Sequence, residues 1–215
     1  MTWIETISGT RFDLLNPKPD QVNMADVAYA LARIVRFTGH TNTGSDTGCG
    51  YSVAEHALHV CSVVEQEHPN DAVLCALALH HDAAEAYVGD VSAPLKLAMR
   101  AMASLWGAAA GQWSPFDSIE DSVQACILRA IGLPEPTDEQ HAVVKRADLL
   151  ALAAERAVFL PHTGQAGDWA CLEGIPVDER LCQRMRSAKW RTAWPRDLGY
   201  EYLMAGQRFE ARRLL

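Results

Sequence analysis

The apolar run Asp71-Ala-Val-Leu-Cys-Ala-Leu-Ala-Leu79 leads straight into His80-His-Asp-Ala-Ala-Glu-Ala-Tyr-Val-Gly-Asp90, and this junction constrains the fold more than any other stretch. A run of strong helix formers with so few polar positions has to be a buried helix. The charged side chains that follow therefore sit at the edge of a core, where they almost never remain without partners. If the helix continues, His81 and Glu85 are four residues apart, Asp82 and Glu85 three, and His81 and Asp82 lie close in phase. One face then presents an imidazole and two carboxylates to the interior. The bland alternative is a hydrogen-bonded core histidine beside solvated acids.

Helical spacing recurs along the chain. From Met24 to about Phe37 it is carried by Val27, Leu31, Ile34 and Val35, which places Arg33 and Arg36 on a last turn where the helix dipole favours cations. Ser52 and Glu55 form the pattern of a capping box for a helix reaching about Glu67, with His56 facing inward on the line Val53, Ala57, Val60 and Val64. Ser92 followed by Pro94 suggests a fresh helix start, weaker periodicity covers Leu97 to Ala110, and stronger periodicity Ser114 to Ile131. The longest helix is expected from Thr137 to about Leu160, with Asp148 inside its buried stripe of Val143, Val144, Ala147, Ala151 and Leu152. A carboxylate there needs a partner or a metal. Two more helices are expected at Asp178–Thr192 and Asp197–Arg212. Trp3–Leu15 alternates around Ser8-Gly9-Thr10 as a hairpin does. The turn-rich stretch Thr38–Gly50 reads as a loop that borders a site, as a lid or specificity element. The expected fold class is all-α with a small N-terminal β-hairpin. One domain should span residues 1–215: hairpin and connector over 1–23, a core over 24–160 and C-terminal helices over 161–215.

A net charge of −8 argues against a nucleic-acid polymer as partner, which needs clustered Lys and Arg, but leaves room for a local phosphate pocket. The six cysteines contain no C-x-x-C pair and read as reduced core thiols of a cytoplasmic protein. The first residues lack a basic start followed by an apolar run, and no window reaches about 18 uninterrupted apolar residues, so neither export nor a membrane partner is expected.

His56, His81, Asp82 and Asp148 are each a ligand type on an apolar helix face. Together they offer two imidazoles and two carboxylates from three helices, a mixed set suited to one divalent Mn, Fe, Co, Ni or Zn ion, with Mg less favoured. Such an ion can polarise a phosphoryl oxygen and lower the pKa of bound water, which brings phosphate-ester hydrolysis within reach near neutral pH.

This order of residues resembles the HD-domain phosphohydrolase superfamily. The likeness is carried by Ser52-Val-Ala-Glu-His56, by His81-Asp82-Ala-Ala-Glu85 with Gly89-Asp90, by Ala93-Pro-Leu-Lys96 and by Val144-Lys-Arg-Ala-Asp148, over roughly residues 30 to 160. Spacing and flanks look most like the bacterial 5′-deoxynucleotidase branch and the related phage dATP triphosphohydrolases. The resemblance implies an HD-domain helical bundle with His56, His81, Asp82 and Asp148 as metal ligands. Glu85 would be the acid that orients or deprotonates the attacking water, and Asp90 a second acid near the sugar or leaving group. Arg36 and Lys96 match positions near substrate phosphate, against a bland reading as helix-end charges in solvent. Phe37 departs from the tryptophan that follows the arginine in deoxynucleotidases, which puts rejection of a ribose 2′-hydroxyl in doubt. The expected activity is hydrolysis of (deoxy)nucleoside 5′-monophosphates to nucleoside and phosphate by a metal-activated water, in a homo-oligomer. The alternatives are a triphosphohydrolase that releases triphosphate and a non-catalytic HD signalling or scaffold module.

Overall fold

The computed structural model describes residues 1–42, 50–105, 114–161, 169–187 and 194–213. Strands β1 (Trp3–Glu5) and β2 (Arg11–Asp13) pair antiparallel with Ile4 opposite Phe12. The connection turns at Gly9, whose φ of 82° suits a residue without Cβ. Two contacts fix this hairpin to the helices. The hydroxyls of Thr6 and Ser8 donate to the Asp26 carboxylate of α1 (Met24–Leu31) at 2.5 and 2.6 Å. Phe12, fully buried, stacks on Tyr87 with ring centroids 3.7 Å apart.

Helices α2 (Val53–Glu67), α3 (Ala72–Leu79), α4 (Glu85–Val88), α5 (Ala93–Leu105), α6 (Pro115–Ala130), α7 (Asp138–Phe159), α8 (Glu179–Met185) and α9 (Pro195–Arg213) make up the rest. Capping boxes start three of them: Ser52 with Glu55, Ser114 with Asp117, and Thr137 with Gln140. Helix α2 packs on α3 and α7, α9 on α1 and α3, α8 on α7, and α4 between α1 and α6. The buried core runs from Phe12 through Val27, Leu31, Val60, Leu79, Ile127 and Ala151 to Tyr202 and Phe209. This is the all-α HD bundle with an N-terminal hairpin. No described helix is long and apolar enough to cross a membrane.

Two expected helices are shorter than their periodicity implies. Helix α1 ends at Leu31, six residues before Phe37, because the β-branched Ile34 and Val35 leave it for an extended crossing. There Val53 N–H donates to Ile34 C=O (3.0 Å) and Arg36 N–H to Tyr51 C=O (2.8 Å). Arg36 therefore sits beside the start of α2 and not on a last helical turn. Phe37, Thr38 and Gly39 follow with φ of 55°, 54° and 80°, three left-handed residues in succession. For residues with a Cβ this conformation costs about 1–2 kcal/mol each. The Thr38 side chain is exposed, so Thr38→Asn removes strain without removing packing. It is expected to stabilise by about 1 kcal/mol and raise the unfolding midpoint by about 2–4 °C. A thermal melt with an unchanged or lower midpoint would show that no strain is stored there.

The second shortened helix is the central one. Helix α3 stops at Leu79, residues 80–84 form turns, and α4 opens at Glu85. Within the turns Ala83 N–H donates to His80 C=O and Glu85 N–H to Asp82 C=O, both at 3.1 Å and three residues back instead of four. The helical partner of His80 C=O would be Ala84 N–H, but the Gln124 side chain of α6 takes both: its Nε2 donates to His80 C=O (2.6 Å) and its Oε1 accepts from Ala84 N–H (3.0 Å).

Helix α5 begins at Ala93, at the start marked by Ser92 and Pro94, and covers the first part of the stretch expected from Leu97. The rest of that expected helix, residues 43–49 of the expected Thr38–Gly50 loop, residues 162–168 and the end of the helix expected from Asp178 lie outside the described residues.

Candidate metal centre

Three parts of the chain converge on one point. His56 comes from the first turn of α2, His81 and Asp82 from the turns after α3, and Asp148 from the middle of α7. His56 Nε2 lies 3.2 Å from His81 Nε2, 3.2 Å from Asp148 Oδ1 and 3.6 Å from Asp82 Oδ2, and His81 Nε2 lies 3.2 Å from Asp82 Oδ2. His56, His81 and Asp82 offer donor atoms all within 4.8 Å of one another. Asp148 reaches His56 but stands outside that mutual group, and its second oxygen is held by Lys145 at 2.6 Å.

The hydrogen bonds on the far sides of the rings fix what these atoms can be. His81 Nδ1 lies 2.8 Å from Ala78 C=O, which can only accept, so Nδ1 carries the proton. His56 Nδ1 lies 2.5 Å from the Glu155 carboxylate, again an acceptor. As neutral imidazoles the two rings would turn Nε2 lone pairs toward each other among carboxylate oxygens, an arrangement that calls for positive charge, as a proton on His56 or as a metal ion, between them. The separations suit a metal ion: adjacent donors around one ion, with bonds of about 2.1 Å, are about 3 Å apart. The donor set and its geometry fit a divalent ion.

The field around the cluster shows the same demand. Burial and Arg36 push the His56 imidazole down, yet Glu155 and Asp148 overcome them and hold it up at about 9. Burial works against the Asp82 carboxylate, but His81 and His56 hold it well below its ordinary range. Glu155 is the largest member that the sequence reading missed. It is wholly buried on α7, where Oε1 accepts from His56 Nδ1 and from the Tyr51 hydroxyl (3.0 Å) and Oε2 faces Arg36 Nη2 at 3.4 Å. Burial raises its pKa, but Arg36 and His56 more than compensate and hold it at about 2. A signal was present, since Glu155 lies four residues beyond Ala151 and seven beyond Asp148, on the same stripe.

Arg36 reaches the centre through Nη1, 3.6 Å from Asp82 Oδ2, and its buried Nε has no hydrogen-bond partner among the described residues. Glu85 opens α4, is buried, and leaves Oε2 likewise without a hydrogen-bond partner among the described residues. Burial, then Asp82 and Asp90, push its carboxyl up to about 10, while Arg36 and Lys96 act against this. Burial also raises Asp90, and Arg36 opposes it. Phe37 stands beside Arg36, with its ring centroid 6.4 Å from that of Trp169. Lys96 is bound to Glu120 at 2.7 Å instead of standing in solvent.

His81, Asp82, Glu85 and Asp148 line a cleft of about 640 Å³ whose walls include Lys96, Arg100, Glu120, Gln124, Glu135 and Lys145. That volume is ordinary for a small-molecule site. Arg36, Phe37 and Asp90 are not among the residues lining it.

Comparison with known proteins gives two results. A family model described as 5′-deoxynucleotidase YfbR-like matches residues 24–156. The chain is 33% identical over 179 residues to the uncharacterized protein YfdR of Escherichia coli (strain K12), covering 83% of each chain. It is also 33% identical over 156 residues to an uncharacterized protein of Rhodobacter capsulatus, covering 71% of this chain and 70% of that one.

Proposed function

The chain belongs to the YfbR-like 5′-deoxynucleotidase family of the HD-domain superfamily, and we propose that it is a metal-dependent phosphohydrolase that cleaves (deoxy)nucleoside 5′-monophosphates to nucleoside and phosphate. The observation that carries this reading is the pair of imidazole Nε2 atoms held 3.2 Å apart among carboxylates, with His81, Asp82 and Asp148 at the wall of a nucleotide-sized cleft. His56, His81, Asp82 and Asp148 would hold a divalent ion of the Mn, Fe, Co, Ni or Zn kind, which supplies Lewis-acid polarisation of a phosphoryl oxygen and a more acidic water.

The protein's own groups do the rest. Glu85, with one oxygen uncommitted among the described residues, is assigned to the attacking water: it aims the water and, in the carboxylate form that added positive charge at the centre would favour, takes its proton as the new P–O bond forms. The bond from phosphorus to the sugar oxygen breaks, and the departing alkoxide needs a proton; Asp90, whose carboxyl burial raises, is assigned to that side. Arg36 brings positive charge to the edge of the cluster, and Lys96 can exchange its Glu120 partner for a phosphate oxygen.

Charge in the cleft favours one phosphate over three. Lys96 is paired with Glu120, Arg100 with Asp117 and Lys145 with Asp148, so every Lys or Arg among the described cleft residues already has a carboxylate. Arg146 is bonded to Glu67, and Arg33 lies over the Tyr29 ring. Glu120, Asp121 and Glu135 add negative charge where further phosphates would have to lie.

The test is a panel of ribo- and deoxyribonucleoside mono- and triphosphates with Mn²⁺-, Co²⁺- or Zn²⁺-loaded protein, with phosphate, pyrophosphate and triphosphate resolved as products. Phosphate from monophosphates is expected. Triphosphate release would transfer the assignment to the triphosphohydrolase, and no product from any member would leave a binding module. A second test concerns Glu155. Glu155→Gln weakens the carboxylate that orients His56 and is expected to lower metal affinity about 10–100-fold. Titration of Mn²⁺ against a chelator of known affinity measures this, and an unchanged affinity would remove Glu155 from the metal's support.

A further inference from the structure

Gln124 lies on α6, forty residues along the chain from Ala84, yet its carboxamide is spliced into the backbone of the segment that carries His81, Asp82 and Glu85. It donates to His80 C=O at 2.6 Å and accepts from Ala84 N–H at 3.0 Å, standing in for the one hydrogen bond that would join these two groups in a continuous helix. The effect on side-chain direction is large. An α-helix turns about 100° per residue and a chain bonded three residues back about 120°, so from His81 to Glu85 the two paths differ by up to about 80°. On the tighter path Asp82 and Glu85, three apart, come into line on one face.

A second contact holds His80 from the opposite side. Its Nδ1 lies 2.7 Å from the buried Tyr202 hydroxyl of α9, and a Cβ on Gly206 of that helix would stand only 3.3 Å from His80 Nε2. His80 is thus held by α9 through its ring and by α6 through its carbonyl. Gln124 also forms part of the cleft wall, so the group that shapes the segment is within reach of the bound substrate's surroundings.

We propose that Gln124 is a positioning residue of the reaction, holding the chain open between His80 and Ala84 so that Glu85 is aimed at the point where His81 and Asp82 converge; the assignment of a reaction rests on the phosphohydrolase reading above. Gln124→Met keeps the length of the side chain and removes both hydrogen bonds. Gln124→Glu is isosteric, keeps the acceptor for Ala84 N–H and loses the donor to His80 C=O.

Two measurements on both variants decide the matter. Kinetics with Mn²⁺-loaded protein and deoxynucleoside monophosphates should show kcat reduced on the order of 10–100-fold per bound metal, with KM within about threefold, since small misplacements of reacting groups cost that much. Crystal structures of the same variants should show Ala84 N–H moved toward His80 C=O and Glu85 turned away from its wild-type direction. Wild-type kcat per bound metal, or an unmoved 80–88 segment, would overturn the proposal. So would failure of both variants to fold, which would make Gln124 a structural residue only. If the wild-type protein cleaves no nucleotide, the hydrolase reading fails by itself, and the crystal structures still judge whether Gln124 sets the direction of Glu85.

Discussion

Asp148→Ala is expected to abolish phosphate release and strip the bound metal while leaving helix content near the wild-type level. Asp148 Oδ1 stands 3.2 Å from His56 Nε2, and α7 brings it to the cluster from a different part of the chain than the turns that supply His81 and Asp82. Without it two imidazoles and one carboxylate remain, all from α2 and the segment after α3, and α7 no longer closes the site. Loss of a carboxylate that merely supports a ligand costs about 10–100-fold in affinity or activity, so loss of a direct ligand should exceed that. The helix itself should survive. It is capped at Thr137, and Ala147, Ala151 and Ala154 bury its inner side. Alanine is also the better helix former at position 148. Lys145 would lose its 2.6 Å partner, but its side chain is more than half exposed, and such surface pairs contribute little. Metal analysis and circular dichroism on the purified variant check both halves. Unchanged metal content would remove Asp148 from the ligand set.

What the sequence reveals and what it hides divide along the range of the interactions involved. The hairpin, the capping box of Ser52 with Glu55 and the helical periodicity of α2, α6 and α7 follow from residues within a few positions of each other, and the structure contains them. The early end of α1 depends on Ile34 and Arg36 bonding to residues some distance along the chain, Val53 and Tyr51, which periodicity cannot register. The break after Leu79 is the sharper case. Every residue from His80 to Tyr87 is compatible with a helix, and the group that breaks it is a glutamine on α6 that resembles any solvent-facing helix residue. Glu155 was hidden for a related reason: glutamate on a long helix reads as a surface charge until Arg36, His56 and Tyr51 are seen around it. The ligand-type residues could be singled out because each interrupts an apolar face, but spacing alone placed Glu85 one α-helical turn from His81, whereas the chain takes a tighter path between them.

That path bears on the second large effect, the replacement of Glu85 by glutamine. Glu85 is buried, carries one oxygen with no hydrogen-bond partner among the described residues, and feels Asp82 and Asp90 as like charges. A carboxyl so placed stabilises nothing in the resting fold; burial and both neighbours work against its ionised form. Glu85→Gln keeps the shape, removes the ionisable group and should leave the unfolding midpoint equal to or above that of the wild-type protein. Metal should remain, because the donors at 3.2–3.6 Å from His56 Nε2 do not include Glu85. Turnover should fall on the order of 10²–10⁴-fold, the usual contribution of a group that moves a proton in the transition state. Nucleotide affinity should change little. A solvated helix charge would give the opposite result, with kcat near wild type. Measuring kcat, metal content and melting temperature on one preparation separates the possibilities: full activity would exclude Glu85 from proton transfer, and loss of metal would move it among the ligands. Retained metal, an unlowered midpoint and collapsed kcat together would place Glu85 at the reacting water.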